Sequence, residues 1–112
     1  MNVGASVNGP ALRLVGIDAE SGRAWSFDEP VSGCSDSIVD STIACLGRGA
    51  AYFVDVRTGR EIGRAPAPPQ AFGIAFNGKA AFVRDFSGGN ERQVVFHKVT
   101  PGGVEWQRTI DL

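Results

Sequence analysis

The chain has 112 residues, 43% of them apolar and 21% charged, and sets 11 basic side chains against 12 acidic ones. This length suits one domain with a core of its own and is too short for two. A net charge of −1 provides no bulk field for a polyanion and removes the usual electrostatic basis of nucleic-acid binding. No apolar stretch approaches the ~20 residues that a membrane span needs. The opening MNVGASVNGP has neither the basic nor the apolar part of a signal peptide. The expected setting is cytoplasmic by default, unless the chain is a piece of an exported protein.

Fifteen glycines, six prolines and no sustained apolar period of 3.6 predict an all-β chain. If Asn2 to Val7 forms a strand, the first unit continues with Leu12 to Ile17, a turn at Glu20-Ser21-Gly22, and Arg23 to Phe27. Next come Ser37-Ile38-Val39 and Ser41 to Leu46 flanking a tight turn, then Ala51 to Val56, a turn at Arg57-Thr58-Gly59, and Glu61 to Gly63. Ala65-Pro66-Ala67-Pro68-Pro69 reads as a connection, because proline has no N–H for a ladder. Phe72 to Phe76 and Lys79 to Val83 flank Asn77-Gly78, the signature of a two-residue type I′ hairpin. A loop at Ser87-Gly88-Gly89-Asn90, a strand from Gln93 to Val99, a turn at Pro101-Gly102-Gly103 and a strand from Val104 to Arg108 complete the chain.

A repeat runs through these units. GIDAESGRAWSF (16–27) and FVDVRTGREIGR (53–64) keep Asp, Gly and Arg in step, with Asp18 to Asp55 and Gly22 to Gly59 both 37 positions apart. A third copy, FHKVTPGGVEWQR (96–108), keeps the strand, the turn at Gly102 and the tryptophan, Trp106, without the aspartate. In each full copy the Asp side chain is expected to accept backbone N–H groups two or three residues on, while Gly supplies positive φ. Trp25, and Ile62 in the middle copy, then lie on the outermost strand and are expected to pack flat against the next unit. A period near 40 made of short strands is the pattern of β-propeller blades, approximately 1–30, 31–68 and 69–112.

The stretch DAESGRAWSF resembles the tryptophan-docking repeat of the PQQ-like β-propeller superfamily: an apolar strand, Asp, Ser or Thr with Gly, a basic residue, and Trp. That superfamily includes quinoprotein alcohol dehydrogenases and a non-catalytic lipoprotein of bacterial outer-membrane assembly. The resemblance implies antiparallel four-stranded blades, about three in this chain, and says nothing specific about activity. Three, four and four strands make an arc rather than a ring. The arc is completed by further copies, in which case a homo-oligomer is expected, or by missing sequence; a β-sandwich is the other packing open to it.

Cys34 and Cys45 stand directly opposite if Val39-Asp40 is the turn and miss by two positions if Asp40-Ser41 is. A cross-strand disulfide is therefore allowed, but the pattern favours two small half-buried thiols. With these two cysteines and one histidine, His97, a zinc site is not expected. Ser35-Asp36-Ser37 and Asp40-Ser41-Thr42 concentrate oxygen ligands suited to calcium, yet Ser and Asp fill turns for local reasons. His97 is expected on the surface, without a carboxylate in step. Arg57, Arg60, Arg64 and Arg84, with Tyr52 and Phe86, would suit a rim for a carboxylate or peptide ligand; solvated arginines guarding strand edges are the simpler reading.

The expected function is a non-catalytic scaffold for a protein partner or ligand, with no cofactor. The alternatives are a fragment or subunit of a quinoprotein-type oxidoreductase, whose active residues lie outside this chain, and a self-assembling structural protein. No local hydrolase, nucleotide-binding or metalloprotease motif is present, so an enzyme is disfavoured.

Overall fold

The computed structural model describes the backbone of residues 2–8, 11–87 and 90–112 and the side chains of 12–86 and 92–112. Eleven strands, with no helix among the described residues, form three antiparallel sheets taken in chain order. The first holds β1 (Asn2–Asn8), β2 (Ala11–Ile17) and β3 (Ala24–Ser26). The second holds β4 (Gly33–Cys34), β5 (Thr42–Gly47), β6 (Ala50–Asp55) and β7 (Arg60–Pro66). The third holds β8 (Gly73–Phe76), β9 (Ala81–Ser87), β10 (Asn90–Thr100) and β11 (Gly103–Asp111). Each sheet is a simple meander in which every strand pairs with the one before it.

The middle sheet is buried on both faces, which alternation explains directly. Ala44, Leu46, Ala51, Phe53 and Ala65 point one way and pack with Phe76, Ala81, Val83 and Val99 of the third sheet. Ile43, Cys45, Tyr52 and Val54 point the other way and pack with Leu14, Phe27 and Val31. Phe53 meets Phe76 edge-on at 5.9 Å, and Phe27 meets Tyr52 edge-on at 5.2 Å. Near-continuous apolar runs in β5 and β6 are therefore the mark of a sheet sandwiched between two others.

Several turns differ from their expected form. Asp40 and Ser41, with φ of 49° and 62°, are the central residues of the turn in which Val39 pairs with Thr42. That choice should offset the cysteines by two, yet Cys34 pairs with Cys45. Residues 35–38 supply two extra positions on one side, so the expected strand at Ser37 to Val39 is a bulged segment. The buried Ser35 hydroxyl organises it, donating to the Ser37 carbonyl at 2.9 Å and accepting the Ala44 N–H at 3.2 Å.

The Asn77-Gly78 hairpin is a four-residue loop, because Phe76 pairs with Ala81. Asn77 Oδ1 accepts the N–H groups of Lys79 and Ala80, both at 2.9 Å, and only Gly78 of the two central residues has positive φ. The side chain thus replaces the second left-handed residue. Pro66 belongs to β7 rather than to a connection, and an outermost strand tolerates the missing donor. The expected loop at Gly88-Gly89 lies outside the described residues.

Candidate functional site

The repeat motif sits where one sheet meets the next. At its turn, the Gly59 N–H donates to the Asp55 carbonyl at 2.8 Å, and Asp55 Oδ1 accepts the Arg57 N–H at 2.9 Å. The first turn repeats this geometry: the Gly22 N–H donates to the Asp18 carbonyl at 2.8 Å and the Glu20 N–H to Asp18 Oδ1 at 2.9 Å. Gly22 and Gly59 share nearly the same φ, 74° and 76°.

Trp25 leaves the first sheet and covers the turn of the second. Its Nε1–H donates to the Val56 carbonyl at 2.9 Å, and its ring lies between Gly16 and Gly59. A Cβ on Gly59 would fall 2.5 Å from the indole. Small residues on both sides make room for a flat ring.

Ile62 does not repeat that role. It is 52% exposed, and the second junction is made by its neighbour, Gly63, against Pro101 of the β10–β11 turn, where a Cβ would fall 2.7 Å from the proline ring. The register between β6 and β7 shifts at Phe53/Val54, where Phe53 pairs with Gly63 and Val54 with Glu61, so Ile62 is the extra residue of β7 and falls out of step with Trp25. The sequence reads Gly63 only as a strand end and Pro101 only as a turn residue, since their contact depends on that irregularity. Trp106 does keep an outward position on β11, 37% exposed, with Phe82 at 6.2 Å and the Arg108 guanidinium 5.6 Å above its ring.

Electrostatics separate the two turns. The bidentate Arg57 guanidinium, at 3.0 and 3.1 Å, holds the Asp55 carboxyl below its ordinary range. Asp18 is also held low, chiefly by the Glu20 backbone N–H. Where the second turn has Arg57, the first has Glu20, so the first turn presents two carboxylates and no cation of its own.

The expected ligand rim is dispersed. Tyr52 is buried beneath Arg64, whose guanidinium stands 4.8 Å over the ring while pairing with Glu61 at 2.6 Å. Burial, followed by the charge of Glu29, raises the Tyr52 phenol above its ordinary value. Arg57 lies on the docking turn. Apart from that Tyr52–Arg64 pair, Arg84 and Phe86 come together through Phe72: Phe72 and Phe86 stack at 4.7 Å, and Arg84 stands 5.3 Å over Phe72. Phe72 was read only as a strand residue, because alternation alone does not show which faces meet a groove.

Phe72 and Arg84 edge an open depression of about 300 Å³ where β4 lies beside β8, lined also by Ser32, Gly33, Cys34 and Ile74; Phe86 does not line it. Cys34 and Cys45 are joined by a disulfide, correcting the expectation of two thiols; their Cα atoms are 3.9 Å apart. It ties the short β4 to β5 at the floor of this groove. His97 is half-buried rather than on the open surface, and it borders a second depression with Pro66, Pro68, Val104 and Gln107. Among the described residues, no three His, Cys, Asp or Glu side chains converge as a metal site.

The chain matches no family model, no curated protein and no solved structure.

Proposed function

We propose that this chain is an arc of PQQ-like β-propeller blades that acts as a non-catalytic binding scaffold. The observation that carries the reading is the Trp25 indole seated on the Asp55–Gly59 turn of the following sheet. A repeat whose most distinctive side chain bridges consecutive sheets is a device for stacking them. Support for blades also comes from the three meanders in chain order and from the middle sheet buried on both faces.

Binding is assigned to the groove between β4 and β8. Arg84 forms no ion pair among the described residues and stands over an aromatic ring, an arrangement suited to a carboxylate carried on an apolar or peptide body. The nearby Ser32 hydroxyl is committed to the Leu46 carbonyl at 3.3 Å, a structural rather than a nucleophilic use. In the oxidoreductase reading the reacting groups would come from other segments. The disulfide favours an oxidising compartment over the cytoplasmic default.

The test is a ¹⁵N-resolved titration with short peptides ending in a free carboxylate, and with the same peptides amidated. Shifts at Gly33, Gly73 and Phe72 with the acid alone, lost in Arg84→Gln, support the groove. Equal response to both forms, or none, removes it. Nuclear Overhauser contacts between the Trp25 indole and Gly59 test the stacked blades themselves, and their absence would sink the scaffold reading.

A further inference from the structure

The two ends of this chain are complementary halves of the junction that its interior already contains. The first turn, Asp18 to Gly22, has the geometry of the docked Asp55 to Gly59 turn, but a Cβ on Gly22 would meet nothing within 4 Å. Among the described residues, no indole covers this turn as Trp25 covers the other. At the other end, Trp106 stands on the outermost strand facing away from the middle sheet, with no turn upon it among the described residues.

The surfaces around these two halves also correspond. In the third sheet, Phe82, Lys98 and Trp106 are partners in one row and Arg84, Phe96 and Arg108 in the next, on the face opposite buried Val83 and Val99. Alternation continues the apolar surface to Ile110, which is 49% exposed. In the first sheet, Val15 and Ile17 alternate with the buried Leu14 and therefore face away from the middle sheet; Ile17 is 45% exposed. Both outer faces are thus partly apolar sheet surface without a neighbour among the described residues.

Charge selects the occupant. The open turn carries Asp18 and Glu20, and Arg108 beside Trp106 makes no ion pair among the described residues, whereas Lys98 is paired with Glu105 at 3.0 Å. An acidic turn whose carboxylates form no ion pair among the described residues and an indole flanked by an arginine without an anion belong together.

We infer that a second copy of this chain docks head to tail, with its Asp18–Gly22 turn on Trp106 of the first. The Trp106 Nε1–H donates to the Ala19 carbonyl, the position equivalent to Val56, while the ring covers Gly22 and Arg108 meets Asp18 and Glu20. This inference rests on the blade reading and names the partner of its open face. The contact is heterologous, so it closes into a ring if the arcs subtend a suitable angle and otherwise extends.

The experiment uses three chains: the parent, Trp106→Glu and Gly22→Asn. Asparagine tolerates positive φ and so preserves the turn, yet places a side chain where the indole lands. Light scattering coupled to size exclusion, over a wide concentration range, should give the parent a mass that is an integer multiple of 11.8 kDa. Each variant should weaken self-association about 100-fold, as loss of an interface anchor does. Mixed together, the two variants should recover a heterodimer, because Gly22 of one and Trp106 of the other remain intact. Near-ultraviolet circular dichroism identifies a variant that has merely unfolded, and Trp106→Arg and Gly22→Asp then replace the failed pair in the mixing test. A parent that is monomeric throughout, or assembly unchanged in Trp106→Glu, overturns the proposal. If that monomer keeps the Trp25–Gly59 contacts, the blade reading stands without it; if it lacks them, both fall.

Discussion

Trp25 and Gly59 touch across two different sheets, with the indole so close that a Cβ on the glycine would sit 2.5 Å from it. Gly22 occupies the same backbone conformation without any side chain upon it. Alanine at either position carries the cost of left-handed φ, about 1–2 kcal/mol. At Gly59 alone it must also displace Trp25. Gly59→Ala is therefore expected to lose at least about 1 kcal/mol more than Gly22→Ala, read from urea midpoints in protein dilute enough to keep copies apart. Equal losses would mean that the indole does not rest on the turn.

Trp25 itself contributes an N–H donor and a large half-buried ring. Trp25→Phe keeps much of the ring and should cost about 1 kcal/mol from the bond to Val56. Trp25→Ala also opens the space between Gly16 and Gly59, and should cost about 2–4 kcal/mol, somewhat below a fully buried tryptophan. Chemical denaturation of the three proteins gives both differences. A phenylalanine variant as unstable as the alanine one would shift the weight from packing to the hydrogen bond.

These two sites were legible because the information is local. Asp18, Gly22 and Trp25 lie within eight residues, and turn chemistry together with alternation predicts what each does. The disulfide was open to either outcome for the opposite reason. Its register depends on two extra residues between Cys34 and Val39, and these depend on the Ser35 hydroxyl reaching the Ala44 N–H. The ligand rim failed in a third way. Tyr52 and Arg84 both look accessible along the chain, but Tyr52 faces a neighbouring sheet while Arg84 edges the β4–β8 groove. Strand alternation separates two faces without saying which of them meets solvent.

The turn at Asp40 and Ser41 holds two consecutive non-glycine residues at positive φ. A type I′ turn of this kind favours Asn followed by Gly. Asp40→Asn with Ser41→Gly should raise stability by about 1 kcal/mol, mostly from the glycine, visible as a higher thermal midpoint. Destabilisation would mean that the Ser41 side chain has a role beyond forming the turn.

The disulfide between Cys34 and Cys45 encloses a short loop, with a sequence separation of 11. Loop-closure entropy for that length corresponds to about 2–3 kcal/mol. Reduction should lower the unfolding free energy by that amount and loosen β4 first, since Gly33–Cys34 is the shortest strand and is anchored by this bond. Amide exchange at Gly33 and Ser35 should accelerate more than at Ala44. Uniform acceleration would indicate a global rather than a local effect.

Acid should weaken the turns through Asp55 and Asp18. Both carboxyls are held below the ordinary value of 3.8, Asp55 first by the Arg57 side chain and Asp18 first by the Glu20 N–H. A depressed folded value means that the unfolded chain takes up protons first, so this stability is fully present above 3.8 and is lost as pH falls through the folded values. Urea midpoints should accordingly decline as the pH falls below about 4. Asp55→Asn should be less stable at neutral pH and should show a shallower acid decline, because its Arg57 partner no longer meets a titrating group. A parallel decline in parent and variant would assign the acid sensitivity to other carboxylates.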